Sequence, residues 1–165
     1  MELHDVRVDV PTNTPVVLLR EADGLGRTLP IWIGTPEASA IAGALRHTTT
    51  QRPFTHDLMK DLLVSLGVKV ERILITELRD QIYFAEIHLV QGERNHVMSS
   101  RPSDAIALAV RMDVPIFAND TLIDEEGVIM PSEDADEADD GSDPEEVVEE
   151  FRHFIAAVRP QDFGD

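Results

Sequence analysis

Residues 101–104 (RPSD) place an arginine, a hydroxyl group and a carboxylate where we predict that a helix begins. Pro102 suits the first helical position, because its missing N–H is not needed there and its φ is already helical. Arg101 is then the N-cap, although it carries no acceptor for the free N–H groups of the first turn. Either Ser103 and Asp104 accept from those groups, or an anion binds there beside the Arg101 guanidinium.

A second arginine–proline segment, residues 52–57 (RPFTHD), leads toward another helix start. Thr55 is the predicted N-cap, so His56 and Asp57 occupy the first turn. Asp57 is favourably placed against the helix dipole, whereas a positive charge on His56 is disfavoured there. The neutral imidazole is the form that a general base needs, so His56 is a candidate proton acceptor. The alternative is that His56 is an exposed residue without a role.

The elements that must position these residues follow a repeated pattern. Residues 40–46 (AIAGALR) and 105–111 (AIALAVR) share one frame, and the predicted helices 36–46 and 102–111 each follow three strand-like runs. We therefore predict an α+β fold with a mixed or antiparallel sheet, built from a duplicated β-β-β-α unit. The two halves should superpose under a pseudo-twofold operation. Chance similarity between two alanine-rich helices is the alternative.

A further helix, predicted over 55–66, is an insertion between the two halves. Its apolar residues recur at helical spacing, which predicts a buried stripe made of Leu58, Met59, Leu62, Leu63 and Leu66. Thr35 is the predicted N-cap of the first helix, just as Thr55 is of this one.

The net charge of −18 is concentrated in one segment. Residues 124–150 hold 14 acidic and no basic side chains, whereas residues 1–123 hold 16 acidic and 12 basic ones. A mildly acidic globular part argues against tight binding of nucleic acid, which normally requires a basic patch. A transient polyanionic substrate remains compatible with this composition.

The composition divides the chain into a domain over 1–130, an acidic flexible linker over 131–143, and a C-terminal helix and tail over 144–165. The apolar face of the C-terminal helix should dock on the domain or on a neighbouring subunit. The sequence contains no cysteine, no targeting segment and no apolar run long enough to cross a membrane. We therefore expect a cytoplasmic protein that does not bind membranes.

On these residues the chain resembles the bifunctional nuclease family, whose domain is also called a DNase/RNase domain. The resemblance covers about residues 3–125 and rests on residues 29–34 (LPIWIG) with Glu37, on residues 52–58 (RPFTHDL), and most specifically on residues 101–109 (RPSDAIALA). It implies an α+β fold with a mixed sheet, degradation of DNA and RNA, and a homo-oligomer, for which we expect a dimer.

As a nuclease, the protein would need a base, groups that stabilise charge on the phosphate and commonly divalent cations held by carboxylates. The candidate catalytic residues are then His56, Asp57 and Asp104. The candidate residues for binding the substrate phosphate are Arg52, Arg101 and Ser103. The candidate ligands for Mg²⁺ or Mn²⁺ are Asp57, Asp104 and Glu37. Nucleic acid would be a transient substrate.

The competing hypothesis is a non-catalytic regulatory or interaction domain. The charged residues at the helix starts would then form a buried ion-pair network, because charges inside a core are normally paired. The members of this network would be Arg52, Asp57, Arg101 and Asp104. Both hypotheses require the helix starts to lie close together.

Overall fold

Two antiparallel three-stranded units, each followed by a helix, make up most of the fold. The computed structural model describes residues 1–9, 12–48 and 50–130. The first unit and its helix are β1 (Glu2–Asp9), β2 (Thr14–Arg20), β3 (Thr28–Trp32) and α1 (Thr35–Leu45). After α2 (Thr55–Ser65), the second unit and its helix are β4 (Lys69–Arg79), β5 (Ile82–Gln91), β6 (Arg94–Ser100) and α3 (Pro102–Met112). The described part ends with β7 (Ile116–Ala118) and α4 (Asp120–Glu126).

The strands form one antiparallel and one mixed sheet, which confirms the predicted α+β class. The first sheet has the order β1-β2-β3, and the second has the order β6-β5-β4-β7. β7 is parallel to β4, with Ile116 opposite Ile73, whereas the other pairs are antiparallel. Three strands precede each of α1 and α3, as the repeat predicted. The pseudo-twofold superposition of the two halves stays a prediction.

The hydrophobic core draws on both sheets and on the helices. Ile31, Ile41 and Ile73 are fully buried members of one cluster. α3 contributes the continuous buried run 105–109, whose three alanines allow neighbouring elements to approach closely. α1 and α2 both pack against α3. The central position of α3 therefore brings the starts of the three helices within reach of one another.

α2 is less buried than its pattern predicts. Met59 and Leu63 are partly buried against the core, but Leu58, Leu62 and Leu66 are 58%, 56% and 58% exposed. The prediction of one buried stripe containing all five residues is wrong. The apolar arc of α2 is wider than the surface that α3 offers, so its outer edge stays in contact with solvent.

Two helix starts differ by one residue from the prediction. Thr35 and Thr55 are the first residues of α1 and α2, and Gly34 and Phe54 are the N-caps. α3 starts as predicted, with Arg101 at its N-cap. Neither threonine forms the expected side-chain cap. Helix boundaries commonly differ by one or two residues from one criterion to another, so a shift of one residue is small.

The predictions of an acidic linker over 131–143 and of a C-terminal helix and tail over 144–165 lie outside the described residues. Within the part of the chain that the structure describes, no helix has the length and apolar character needed to cross a membrane.

Candidate active site at three helix starts

Arg101 connects the first turns of α1 and α3. Its Nε lies 2.8 Å from Asp104 Oδ2 and its Nη2 lies 3.1 Å from Asp104 Oδ1, so the guanidinium donates two hydrogen bonds to one carboxylate. Its Nη1 donates to Glu37 Oε1 at 2.8 Å. The planar guanidinium suits such fork-shaped contacts with anions. The Arg101 side chain is 65% exposed, whereas both carboxylates are much less accessible.

His56 reaches the same carboxylate from α2. Its Nε2 lies 3.1 Å from Asp104 Oδ1, and its side chain is nearly buried. An ionised carboxylate can only accept hydrogen bonds, so Nε2 carries the proton in this contact. Nδ1 is then the nitrogen that can accept a proton when the imidazole is neutral. We call Glu37, His56, Arg101 and Asp104 together the Arg101 cluster.

Hydrogen bonding keeps Asp104 ionised at neutral pH. Burial by itself would raise the pKa of Asp104, but the hydrogen bonds from Arg101 and His56 outweigh it, so the pKa lies below its ordinary value. The pKa of Arg101 is raised, first by the hydrogen bond to Asp104 and then by the one to Glu37. The Arg101 cluster thus contains two carboxylates and one permanent cation.

Gly34 leaves space for the Glu37 carboxylate. A Cβ added at Gly34 would clash with Glu37 Oε2, because the Glu37 side chain turns back over the start of α1. The φ of Gly34 is −74°, which any residue can adopt. Glycine at this position therefore leaves room for the end of the flexible Glu37 side chain, and its backbone conformation does not require glycine.

Asp57 does not join the Arg101 cluster. Its Oδ1 lies 2.6 Å from Arg111 Nε, and its Oδ2 accepts the backbone N–H of Phe54 at 3.0 Å. The Arg111 side chain is only 6% exposed. It also donates to the carbonyl oxygens of Ala107 at 2.9 Å and Ala40 at 3.0 Å. Arg111 therefore ties together α1, α2 and α3.

The Arg111 contact also perturbs the Asp57 carboxyl. Burial by itself would raise the pKa of Asp57, but the hydrogen bonds from Arg111 and from the backbone N–H of Phe54 outweigh it and lower the pKa. Asp57 therefore stays ionised and keeps the buried guanidinium of Arg111 neutralised.

Sequence reasoning did not single out Arg111. The available signal was an arginine in the last turn of a helix that is otherwise apolar on every side, where a charge requires a partner. The predicted pair Arg101–Asp104 is present, but the Arg101 side chain is 65% exposed, so this is not a buried pair. The observed ion pairs do not include Arg52, which is exposed and makes no ion pair with any other residue in 1–9, 12–48 and 50–130. Arg111 takes the position beside Asp57 instead.

The start of α3 has no side-chain cap. Asp104 turns toward Arg101 and His56, and the hydroxyl group of the buried Ser103 makes no hydrogen bond to another described residue. Of the two arrangements predicted for this helix start, capping by Ser103 and Asp104 is therefore wrong. The first-turn N–H groups have no side-chain acceptor, and Arg101 lies next to them.

The three carboxylates predicted to hold a divalent cation do not form one ligand group. Asp57 faces Arg111, whereas Glu37 and Asp104 share Arg101. In the described ranges no group of three or more His, Cys, Asp or Glu side chains is arranged to hold a metal ion. As arranged, Glu37 and Asp104 fit a guanidinium, and a divalent cation would have to displace Arg101 to bind them.

The chain is similar to several known proteins over most of its length. The family model described as the bifunctional nuclease domain matches residues 17–131. An uncharacterized protein of Mycobacterium tuberculosis is 40% identical over 158 residues, which cover 96% of this chain and 93% of that protein. Bifunctional nuclease 2 of Arabidopsis thaliana is 31% identical over 125 residues, covering 73% of this chain and 38% of the plant protein. Bifunctional nuclease 1 of the same plant is 30% identical over 117 residues, and the match spans 36% of its length.

Proposed function

The chain belongs to the bifunctional nuclease domain family, and from that premise we propose that it hydrolyses phosphodiester bonds of DNA and RNA at the Arg101 cluster. The observation that carries the proposal is the position of the Arg101 guanidinium. It is 65% exposed and lies at a helix start whose N–H groups have no side-chain acceptor. A phosphate group could accept hydrogen bonds from the two guanidinium N–H groups that do not contact Asp104 or Glu37 and from the N–H groups of the helix start. Because Asp104 and Glu37 together outweigh the charge of Arg101, these hydrogen bonds and not a net positive charge would hold the phosphate.

We assign His56 as the general base and Asp104 as the residue that orients it. Asp104 Oδ1 accepts a hydrogen bond from His56 Nε2–H. The other ring nitrogen, Nδ1, then carries no proton and can accept one from the attacking water. The water oxygen bonds to phosphorus while the ester P–O bond breaks on the opposite side, the leaving oxygen takes a proton from solvent water, and the imidazolium then gives its proton to solvent. This route uses no 2′-hydroxyl group and is therefore equally suited to DNA and RNA.

Arg101 would stabilise the charge that develops on the phosphate oxygens. Asp104 and Glu37 hold its guanidinium in place, with contacts of 2.8 Å to each carboxylate. A donor that is fixed before the reaction stabilises a transition state more effectively than one that must be ordered during it. Ser103 is only 5% exposed, so we leave it out of the proposed phosphate contacts.

A structural role is the better proposal for Asp57. Its partner Arg111 is 6% exposed and bridges three helices. We therefore assign the ion-pair hypothesis to Asp57 and Arg111 and the catalytic hypothesis to the Arg101 cluster. The two hypotheses then apply to different residues, although His56 and Asp57 are consecutive at the start of α2.

The decisive experiment is hydrolysis of end-labelled single-stranded and double-stranded DNA and RNA by the purified full chain. Arg101→Gln should abolish most of the cleavage. Arg46→Gln is the matched control, because Arg46 is an exposed arginine at the end of α1 and lies outside the Arg101 cluster. No cleavage by the parent chain, or equal loss in the two variants, would defeat the proposal.

The divalent metal and the cytoplasmic location both stay predictions. Repeating the assay with Mg²⁺, with Mn²⁺ and with a chelator tests the first of these. Activity that requires a metal would contradict the arrangement proposed here, in which Glu37 and Asp104 both pair with Arg101. Activity that persists with the chelator would agree with the arrangement described above.

A further inference from the structure

An exposed aromatic ring lies at the helix start that carries His56. Phe54 is the N-cap of α2, and it is 57% exposed. His56, whose Nε2 lies 3.1 Å from Asp104 Oδ1, follows only two residues later. Phe54 therefore presents a large apolar surface to solvent next to the Arg101 cluster.

An arginine without an ion pair precedes this ring. Arg52 is exposed and forms no ion pair with another residue in the part of the chain that the structure describes. Four residues separate it from His56, so the Cα atoms of the two residues are at most about 14 Å apart. The charge of Arg52 is thus available to a ligand that also reaches the Arg101 cluster.

The backbone holds both of these side chains in place. The N–H of Phe54 donates to Asp57 Oδ2 at 3.0 Å, and the carbonyl oxygen of Phe54 accepts from the N–H of Leu58 at 2.8 Å. The carbonyl oxygen of Arg52 accepts from the Thr50 hydroxyl group at 2.5 Å. A surface that is ordered before binding loses less conformational entropy when a ligand arrives.

The charge of the chain limits how it can bind a nucleic acid. Residues 1–123 hold 16 acidic and 12 basic side chains, whereas tight binding of a duplex depends on neutralising many phosphates. Stacking of a base on an aromatic ring does not require a net positive charge. The ring of Phe54 can therefore supply binding energy that the overall charge cannot.

Stacking on Phe54 requires a base whose face is accessible. In a duplex each base is covered on both faces by its neighbours, so the ring could reach a base face only after the duplex is opened. Bases of a single strand can separate and stack on aromatic side chains. The exposed ring therefore favours a single strand over a duplex.

We propose that Phe54 and Arg52 bind single-stranded DNA or RNA beside the Arg101 cluster. The Phe54 ring stacks on one unpaired base near the phosphate that is cleaved, and Arg52 contacts a further phosphate of the same strand. This inference rests on the proposed function, because it takes the phosphodiester at the Arg101 cluster as the point from which the strand extends.

A packing role for Phe54 is the alternative. An apolar side chain at a helix start can cover the apolar side of the first turns, and Leu58 lies one turn further along α2. In that role a leucine would serve as well as a phenylalanine. In the stacking role a tryptophan would serve and a leucine would not.

The first test measures the affinity of a short fluorescent single-stranded DNA by anisotropy. The full chain carries His56→Gln as a background, so that the DNA is not cleaved during the measurement. Phe54→Ala and Phe54→Leu should each weaken binding about tenfold, within the range of a stacked base, whereas Phe54→Trp should bind at least as well as the background chain. Phe117→Ala is the matched control, because Phe117 is also exposed but lies in β7, beyond the end of α3. It should leave the affinity unchanged.

A salt series separates the role of Arg52 from that of Phe54. Each phosphate neutralised on a single strand contributes about 0.7 to the slope of log Kd against log salt. Arg52→Gln should reduce this slope by about that amount, and Phe54→Ala should leave it unchanged. Arg94→Gln is the matched control, because Arg94 is exposed at the end of β6 that lies far from Arg101. Equal slopes for Arg52→Gln and Arg94→Gln would mean that Arg52 does not contact a phosphate.

The chain with His56 intact tests the strand preference by cleavage. Its kcat/KM should be higher for a single strand than for the same strand annealed to its complement. Phe54→Ala should lower kcat/KM for the single strand about tenfold and should change that for the duplex little. Removing single bases from the strand should reproduce this loss at one position near the cleaved bond, and Phe54→Ala should be insensitive to the same removal.

These outcomes separate this inference from the proposed function. If the parent chain cleaves nucleic acid and Phe54→Ala or Phe54→Leu binds and cleaves the single strand as the parent does, the inference is overturned and the proposed function stands. If the parent chain cleaves nothing but binds a single strand through Phe54, the proposed function is wrong and the binding surface stands. A chain that neither binds nor cleaves a single strand overturns both.

Discussion

Asp57 Oδ1 lies 2.6 Å from Arg111 Nε, and the Arg111 side chain is only 6% exposed. The preceding residue, His56, contacts Asp104 instead. Two consecutive residues at one helix start therefore belong to different groups of contacts. Asp57 holds three helices together through Arg111, whereas His56 belongs to the more accessible Arg101 cluster. Stability and activity should respond to different substitutions as a result.

Asp57→Asn should destabilise the fold. The substitution leaves the buried charge of Arg111 without a counterion, and breaking a fully buried pair costs about 3–5 kcal/mol. Asp57 is 35% exposed, so we expect a smaller loss, about 2 kcal/mol in the free energy of unfolding. Urea unfolding measures this loss. Asp61→Asn, at an exposed position of the same helix, should change stability little, and equal losses in the two variants would contradict the structural role.

Asp104→Asn should reduce hydrolysis much more than stability. Arg101 keeps Glu37 and water as partners, so the loss in unfolding free energy should be about 1 kcal/mol. Hydrolysis should fall because the Asn side chain no longer orients His56 and Arg101 as an anion does. His56→Gln should lower the rate by roughly 10²–10⁴, the usual contribution of a positioned general base. A large drop in melting temperature for Asp104→Asn with unchanged hydrolysis would support a structural role for Asp104 instead.

The folded state should lose stability as the pH falls below about 4. Burial by itself would raise the pKa values of Asp57 and Asp104, but the hydrogen bonds that each carboxylate accepts outweigh burial, so both pKa values are lowered. In the unfolded chain the pKa of an Asp carboxyl is about 3.9. Their contributions are therefore present above that pH and are lost as the pH falls through the lowered folded-state values.

Urea midpoints measured between about pH 2.5 and 6 would show this dependence. Asp57→Asn should flatten the curve in part, because Asp104 still titrates. Asp61→Asn should leave the slope unchanged. A slope that is identical in Asp57→Asn and the parent chain would mean that Asp57 does not contribute to the acid sensitivity.

Gly34→Ala should weaken the Arg101 cluster through Glu37. The added methyl group would lie too close to Glu37 Oε2 and move the end of that side chain, so we expect a weaker contact between Glu37 Oε1 and Arg101 Nη1. We expect roughly a fivefold loss of hydrolysis, corresponding to about 1 kcal/mol. Glu37→Gln should have a similar effect, and the double variant should lose little more, because both substitutions remove one contact.

Gly43→Ala is the control for this substitution. Nothing lies within 4 Å of a Cβ added at Gly43, and the residue lies inside α1. It should therefore stabilise the chain by about 0.5–1 kcal/mol, the usual gain from replacing glycine in a helix, without changing hydrolysis. Thermal unfolding and the cleavage assay measure both quantities. An equal loss of hydrolysis in the two glycine variants would contradict the role given to Glu37.

The sequence alone was sufficient for the α+β class, for three strands before each of α1 and α3, and for the start of α3 at Arg101 and Pro102. These features depend on local chemistry: the alternation of apolar residues in strands, their spacing in helices, and the fixed φ of proline. The pair Arg101–Asp104 also spans only one helical turn, so it could be anticipated from spacing.

Only the tertiary structure decided which distant groups meet. Arg111 reaches Asp57 across 54 positions, and Arg101 reaches Glu37 across 64, contacts that no local pattern encodes. The spacing of Leu58, Leu62 and Leu66 showed that α2 has an apolar side, but not how much of that side another element covers. Ion-pair partners and burial depend on where elements pack in space, and packing is set by the whole core rather than by any one segment of the chain.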